Sequence, residues 1–197
     1  MESKINRITD ILRRDDGISG AMHYTEQISW ILFLKFLNDL EDSKADEALL
    51  IGKDYNYILD DKLKWSNWAV PKLKDENGNN GKIDLINAKS GNDLLDFVNK
   101  ELFPYLKGFK SITEDPKSIK YKIGAIFEYL DNRIANGHTI REVLDIIDEL
   151  DFHNQSDLFQ LSIIYEDNYN DIFDEIDEIL GYFDDEMCEF AKRLNNE

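Results

Sequence analysis

The stretch LRRDDGISGAMHYTEQISWILFLKFLNDLED, from Leu12 to Asp42, decides the fold of this 197-residue chain. It holds the most apolar run of the sequence, Ile28 to Leu37. Apolar side chains there surround the axis of a helix drawn over about residues 24–42, and a helix apolar on nearly all sides is typical of a buried, central position. We therefore expect this helix at the centre of the fold, with the turn Asp15-Asp16-Gly17 leading into it.

Helical periodicity also marks the segments on both sides of the central helix. Residues 3–14 predict a short amphipathic helix, and from Asn92 onwards the period predicts a helix that ends near Pro104 to Gly108. The next predicted helix covers residues 119–135, with Gly137 as a left-handed cap. The segment between, residues 50–90, is irregular and contains a strong turn signal at residues 75–81. Its flanks, about residues 68–73 and 82–86, predict a short β-hairpin.

Two further helix starts are predicted from capping residues. Thr139 and Glu142 have the spacing of a capping box, so Thr139 is expected to begin a helix. Ser156 is expected to cap the helix after it. The sequence therefore predicts a mainly α fold, a multi-helix domain with one short hairpin.

The C-terminal part of the chain has a separate composition. From Tyr165 to the end there are 12 acidic and two basic residues, so this part accounts for −10 of the net charge of −18. Its apolar residues follow a heptad spacing, which predicts an acidic amphipathic helix over residues 168–197 beside a domain of residues 1–167. Two interpretations of the seam stay open: packing on its own domain, or pairing with a helix of a partner. The seam consists of Phe173, Ile176, Leu180, Phe183, Met187, Phe190 and Leu194.

The charge excludes a general electrostatic affinity for DNA, because attraction to phosphate needs a positive protein surface. Local contacts are still open. Four basic residues near the start are candidate DNA-phosphate contacts, and three lysines at the head of a later helix are a weaker candidate. The four are Lys4, Arg7, Arg13 and Arg14, and the three are Lys117, Lys120 and Lys122. Trp65 and Trp68 could stack on bases, but core positions are the more common role for such residues.

The sequence contains no motif that indicates catalysis or cofactor binding. No two of the ten glycines are two positions apart, so no Gly-x-Gly loop can hold a nucleotide cofactor. His23, His138 and His153 lie too far apart to form a metal site by spacing. We expect no catalytic, cofactor-binding or metal site. One cysteine and no apolar run long enough for a bilayer predict a soluble, cytoplasmic protein without a membrane partner.

The Leu12–Asp42 stretch resembles the opening of modification (M) subunits of type I restriction–modification systems. In that family an Arg-Asp turn with glycine leads into a Tyr-x-Glu-Gln-x-x-Trp-x-x-Phe-Leu-Lys helix. The matching residues are Arg14, Asp15, Gly17, Tyr24, Glu26, Gln27, Trp30, Phe33, Leu34 and Lys35. The resemblance covers about residues 1–167.

The resemblance implies a helical N-terminal domain of a DNA adenine methyltransferase subunit. In the family this domain assembles with a specificity subunit and a second M subunit, and it closes around DNA. Methyl transfer from S-adenosylmethionine belongs to a separate domain with an Asn-Pro-Pro-aromatic motif, which this sequence does not contain. We therefore expect an assembly and DNA-clamping domain that does not itself methylate.

Two other interpretations remain from the sequence. The chain could be a stand-alone regulatory or anti-restriction protein that copies the M-subunit surface or the charge of DNA. It could also be an unrelated helical protein whose likeness to the family is coincidental.

Overall fold

The central helix is present and is longer than the sequence pattern predicts. The computed structural model describes residues 2–74, 80–84, 86–113 and 115–150. Helix α1 spans Glu2–Leu12 and helix α2 spans Ala21–Leu50. Between Gln27 and Glu41 most α2 side chains are buried on all sides, whereas none is fully buried from Asp42 to Leu50. The prediction of a buried central helix is confirmed, and the last part of α2 extends beyond the core.

The predicted hairpin is present but shorter and shifted. After a 3₁₀ turn at Asp61–Leu63, a single helical turn, α3, covers Trp65–Trp68. Strand β1 (Lys72–Lys74) then pairs antiparallel with β2 (Asn80–Ile83). The expectation that Trp68 opens a strand is wrong, because it belongs to α3 and is buried.

Three consecutive segments form one long helical run, which continues past the end that the sequence predicts near Pro104 to Gly108. Helix α4 (Gly91–Phe97) passes into a π-helical segment, Val98–Leu102, and then into α5 (Phe103–Ile112). Pro104 lies in the first turn of α5, where its missing N–H is tolerated. The wider π turn just before it explains why the proline does not end the helix.

The region predicted as one helix over residues 119–135 contains a helix and an irregular segment. Helix α6 spans Ile119–Tyr129, residues 130–136 belong to no helix or strand, and α7 spans Gly137–Asp148. Gly137 is therefore not a C-terminal cap, and among the described residues positive φ occurs only at Gly20, Gly52 and Gly91.

The predicted capping box at Thr139 and Glu142 is wrong too. The side chain of Asn136 caps α7 by accepting a hydrogen bond from the His138 amide at 2.9 Å. The helix consequently begins two residues earlier than the box predicted.

The core lies between α2 and the helices that surround it. Trp30 of α2 packs edge-on against Phe103 at 5.2 Å between ring centroids, and Phe103 in turn packs against Phe127 of α6 at 5.5 Å. Phe33 of α2 is 6.0 Å from Phe127, so three helices meet at one aromatic cluster. The mainly α architecture with one two-stranded sheet is confirmed. None of the described helices is long and apolar enough to span a membrane.

Candidate functional site

The turn that leads into α2 is anchored to a segment far away in sequence. The carboxylate of Asp15 is buried and accepts hydrogen bonds from the amides of Gly17, Ala135 and Asn136, at 3.0, 2.8 and 3.2 Å. A Cβ at Gly17 would lie 1.9 Å from the carbonyl oxygen of Arg133, so only glycine fits there. Asp15 and Gly17 therefore hold the segment 130–136 against the turn before α2.

Gln27 completes the same attachment from within α2. Its side chain is fully buried, donates to the carbonyl of Asp131 at 3.1 Å and accepts from the amide of Arg133 at 3.0 Å. Its oxygen also accepts from the indole of Trp30 at 2.9 Å. At the surface, the carboxylate of Glu26 pairs with the guanidinium of Arg133 at 3.0 Å. These residues of the Leu12–Asp42 stretch thus have a structural role.

No local sequence pattern indicates these long-range bonds. Asp15 lies in a charged turn and Gln27 directly precedes the apolar run, and their partners Asp131, Arg133 and Ala135 lie in a segment predicted to be helical. A backbone segment outside helices and strands has no regular hydrogen bonds of its own, so polar side chains elsewhere must satisfy those of its amides and carbonyls that are buried.

A second polar cluster joins the middle of α2 to the end of α7. The ammonium of Lys35 lies 2.6 Å from the Asp39 carboxylate and 3.9 Å from that of Asp148, and all three side chains are nearly buried. Asp148 also accepts from the indole of Trp65 at 2.9 Å and pairs with Lys72 at 2.8 Å. These contacts connect α2, α3, β1 and α7 in one network.

A third cluster fixes the segment that follows α2. The buried carboxylate of Glu41 accepts from the Ile58 amide at 2.5 Å and the Tyr55 hydroxyl at 3.3 Å. The Tyr57 hydroxyl donates to the Asp42 carboxylate at 3.0 Å. Burial raises the pKa of Glu41 above its usual value, although the two hydrogen bonds act in the opposite direction. Burial and the neighbouring carboxylate of Asp42 also raise the pKa of Tyr57, to about 12.

The four basic residues predicted to meet phosphate lie along α1 and the turn after it. Arg7, Arg13 and Arg14 are exposed. Arg13 is 3.4 Å from the Asp10 carboxylate and 5.4 Å from the centre of the Tyr24 ring. We call these four residues, Lys4, Arg7, Arg13 and Arg14, the basic group.

The members of the basic group differ in how strongly they are held. Arg14 donates through Nε to the carbonyl of Asp10 at 3.1 Å. Lys4 donates to the carbonyl of Glu149 at 2.9 Å and pairs with its carboxylate at 3.1 Å. Arg7 has no ion-pair partner in the part of the chain that the structure describes. The three arginines are therefore more accessible to an external anion than Lys4.

Trp65, Trp68 and the lysines near the start of α6 are the other candidates for contact with nucleic acid. Trp65 and Trp68 are buried and pack edge-on at 5.9 Å, which removes them from any base-stacking role. Lys120 lies 5.4 Å from the ring centre of Phe109, and Lys117 is exposed. Among the described residues, no three His, Cys, Asp or Glu side chains are placed so that they could hold a metal ion together. The heptad seam from Phe173 to Leu194, and the helix predicted after Ser156, lie outside the described residues.

The chain is similar to known subunits of type I restriction enzymes. Residues 1–179 match the family model described as the HsdM N-terminal domain. The sequence is 30% identical over 173 residues to the type I restriction enzyme EcoEI methylase subunit of Escherichia coli. The match covers 87% of this chain and 31% of that protein.

Two solved structures of type I restriction–modification proteins are also similar to this chain. A crystal structure of a modification subunit from Vibrio vulnificus YJ016 superposes with a TM-score of 0.67 at 27% identity, over 84% of this chain and 33% of that one. A chain from a structural study of complex assembly and conformational transition of the type I R-M system superposes with a TM-score of 0.60 at 30% identity. That match covers 84% of this chain and 29% of the other, so the chain spans about a third of the length of these relatives.

Proposed function

Since this chain belongs to the family of N-terminal domains of type I modification subunits, we propose that it assembles such a subunit with its partners and holds target DNA. The proposed partners are the specificity subunit, a second modification subunit and duplex DNA within the assembly. The matched region is the N-terminal domain, which is not the cofactor-binding part. S-adenosylmethionine-dependent adenine methylation is accordingly assigned to a separate catalytic domain.

The proposed contact with DNA rests on the basic group, whose positive charges lie close together in a chain that is acidic as a whole. Arg7, Arg13 and Arg14 are exposed on α1 and the turn after it, in a chain of net charge −18. The turn leads to the start of α2, whose first residues have no side-chain cap. Arginines beside uncapped helical amides form a suitable surface for a phosphate group.

The hydrogen bonds that hold the turn after α1 in place also favour a role in DNA contact. Asp15 directly follows Arg14, and its carboxylate is bound to the amides of Ala135 and Asn136. The backbone at the arginines is thereby held in one place relative to the core. A contact surface held in place loses less conformational freedom when it binds than a mobile loop does.

The charge of the whole chain limits where DNA binding can occur. A net charge of −18 repels phosphate at long range, so the isolated chain is expected to bind DNA weakly at physiological salt. In an assembly, other subunits bring the DNA close, and only the local basic group then matters. This is the behaviour of a domain that closes on DNA already recognised by a partner.

The experiment measures the salt dependence of DNA binding by the assembled modification complex. Each phosphate contact contributes a slope of about 0.9 in log K against log salt concentration. The triple variant Arg7→Gln/Arg13→Gln/Arg14→Gln is expected to lower that slope by about two to three and to weaken binding to any duplex sequence alike.

The matched control replaces three exposed lysines elsewhere, Lys62→Gln/Lys82→Gln/Lys100→Gln, and should leave the slope unchanged. An unchanged slope in the arginine variant would exclude the basic group from DNA contact. Tight binding of duplex DNA by the isolated 197-residue chain would contradict the requirement for an assembly.

A further inference from the structure

The free end of α2 presents three consecutive large apolar residues to solvent. Leu49, Leu50 and Ile51 are 75%, 86% and 47% exposed. A run of three exposed apolar residues is unusual unless it has a function, because each raises the risk of non-specific association. We call Leu49, Leu50 and Ile51 the α2 tip.

The α2 tip is held in a defined shape. Gly52 adopts the left-handed conformation, with φ of 67°, and closes the helix in the manner of a glycine cap. The amides of Ile51 and Lys53 both bond to the carbonyl of Ala48, at 3.2 and 2.8 Å. The tip is therefore preformed, which lowers the entropic cost of binding through it.

The residues that follow the α2 tip in sequence also hold the end of α2 in place. Tyr55 and Tyr57 bond back to the carboxylates of Glu41 and Asp42, so the returning segment runs beside the end of α2. The Ile58 amide bonds to Glu41 as well. The end of α2 is thus fixed to the domain although it has no fully buried residue of its own beyond Glu41.

Charges around the tip indicate what covers it. Asp46 and Asp54 are exposed and Glu47 is half-buried, while Lys53 is the one basic residue between positions 46 and 54. An apolar centre with an acidic rim complements a surface with an apolar centre and a basic rim.

The same charges argue against two other occupants. A second copy of this chain would bring the acidic rim against itself. The C-terminal part of this chain carries a net −10 from Tyr165 onwards, so it would be repelled in the same way.

We propose that the α2 tip is a docking surface for the specificity subunit of the type I complex, at a patch where that subunit presents an apolar centre surrounded by lysine and arginine. The basic group begins at the other end of α2, where Arg13 lies over Tyr24. At 1.5 Å per residue, the 30 residues of α2 separate the two sites by roughly 40 Å. The domain would then contact DNA at one end and protein at the other. This inference rests on the assembly role proposed above.

The test measures the affinity of the full chain for the purified specificity subunit of the same system. Leu49→Gln/Leu50→Gln keeps good helix formers at both positions and removes the apolar surface. It should weaken binding at least tenfold and leave the melting temperature unchanged, because both side chains are exposed. Asp46→Asn/Asp54→Asn should weaken binding less and reduce its dependence on salt.

The matched control is Ile112→Gln, which removes an apolar residue of 68% exposure from the end of α5. It should bind like the wild type. Equal affinity of the Leu49/Leu50 variant and the wild type would overturn the docking surface alone. Failure of the wild-type chain to bind the specificity subunit would overturn the proposed assembly role with it. Self-association of the chain that the leucine substitutions abolish would assign the tip to a second copy and overturn the proposal.

Discussion

The Asp15 carboxylate lies 2.8 Å from the amide nitrogen of Ala135, a residue 120 positions further along the chain. This bond, with the neighbouring one to Asn136, fixes the segment between α6 and α7 to the turn before α2. The turn that contains Arg13 and Arg14 is therefore held in position by residues that lie far away in the sequence.

Replacing Asp15 should destabilise the domain strongly. Asp15→Ala leaves the amides of Gly17, Ala135 and Asn136 without their acceptor in a partly buried place. Loss of charge-assisted bonds of this kind costs roughly 2–4 kcal/mol of unfolding free energy. Urea denaturation measures the loss, and Asp16→Ala, at the exposed neighbouring position, is the control that should change stability little. Equal stability of the two variants would contradict the role assigned to Asp15.

Gly137 and Gly108 should respond in opposite ways to alanine. A Cβ at Gly137 would lie 1.8 Å from the backbone oxygen of Gly91, so Gly137→Ala must push α4 and α7 apart and should cost about 2–3 kcal/mol. A Cβ at Gly108, within α5, meets nothing within 4 Å. Gly108→Ala should therefore stabilise the domain by about 0.5–1 kcal/mol through helix propensity. Thermal denaturation of both variants distinguishes the two effects, and a stabilising Gly137→Ala would be inconsistent with this packing.

Glu41 should make stability fall as the pH rises above the usual carboxyl range. Its pKa is raised in the folded state, so the folded chain keeps the proton to a higher pH than the unfolded chain does. By linkage, the unfolding free energy then decreases as the pH rises from about 4.5 through the folded pKa. Glu41→Gln removes the titration, so its stability should depend less on pH over that interval.

The measurement for Glu41 is the free energy of unfolding at several pH values between 4 and 7. Glu47→Gln, on the same helix, removes an equal charge and serves as the control for the net charge of the chain. Its pH dependence should stay close to that of the wild type. If Glu41→Gln and Glu47→Gln gave the same pH profile, burial of the Glu41 carboxylate would not govern this part of the pH dependence.

The Lys35–Asp39 pair should show a coupling energy that an exposed pair lacks. Their side chains are 11% and 12% exposed and 2.6 Å apart, whereas the Lys100–Asp96 pair is 69% and 61% exposed at 2.8 Å. A double-mutant cycle with Lys35→Met and Asp39→Asn is expected to give about 1–3 kcal/mol. The matching cycle on Lys100 and Asp96 should give less than about 0.5 kcal/mol, since both pairs have the same i,i+4 spacing but differ in burial. Similar coupling energies in both cycles would show that burial does not strengthen the Lys35–Asp39 ion pair.

Local patterns predicted the helices well but located their ends poorly. The apolar residues that surround α2, and the apolar periodicity of α6 and α7, reflect which faces are buried, and that signal lies in adjacent residues. Helix ends depend on competition between helical bonds and other partners. At residues 130–136 the side chains of Asp15 and Gln27 provide those partners, so the helix predicted to reach Ala135 ends at Tyr129.

The sequence alone determined that this is a mainly α chain with a buried central helix and without a nucleotide-binding glycine loop. Periodicity and composition are properties of neighbouring residues, and they are sufficient for these conclusions. The family resemblance rests instead on the specific residues of the Leu12–Asp42 stretch. Only the tertiary structure decided what the polar residues of that stretch do. Asp15 and Gln27 satisfy backbone groups more than 100 residues away, and the α2 tip is exposed because no described element covers it. Such contacts depend on how distant segments meet in space, and no local pattern encodes that meeting.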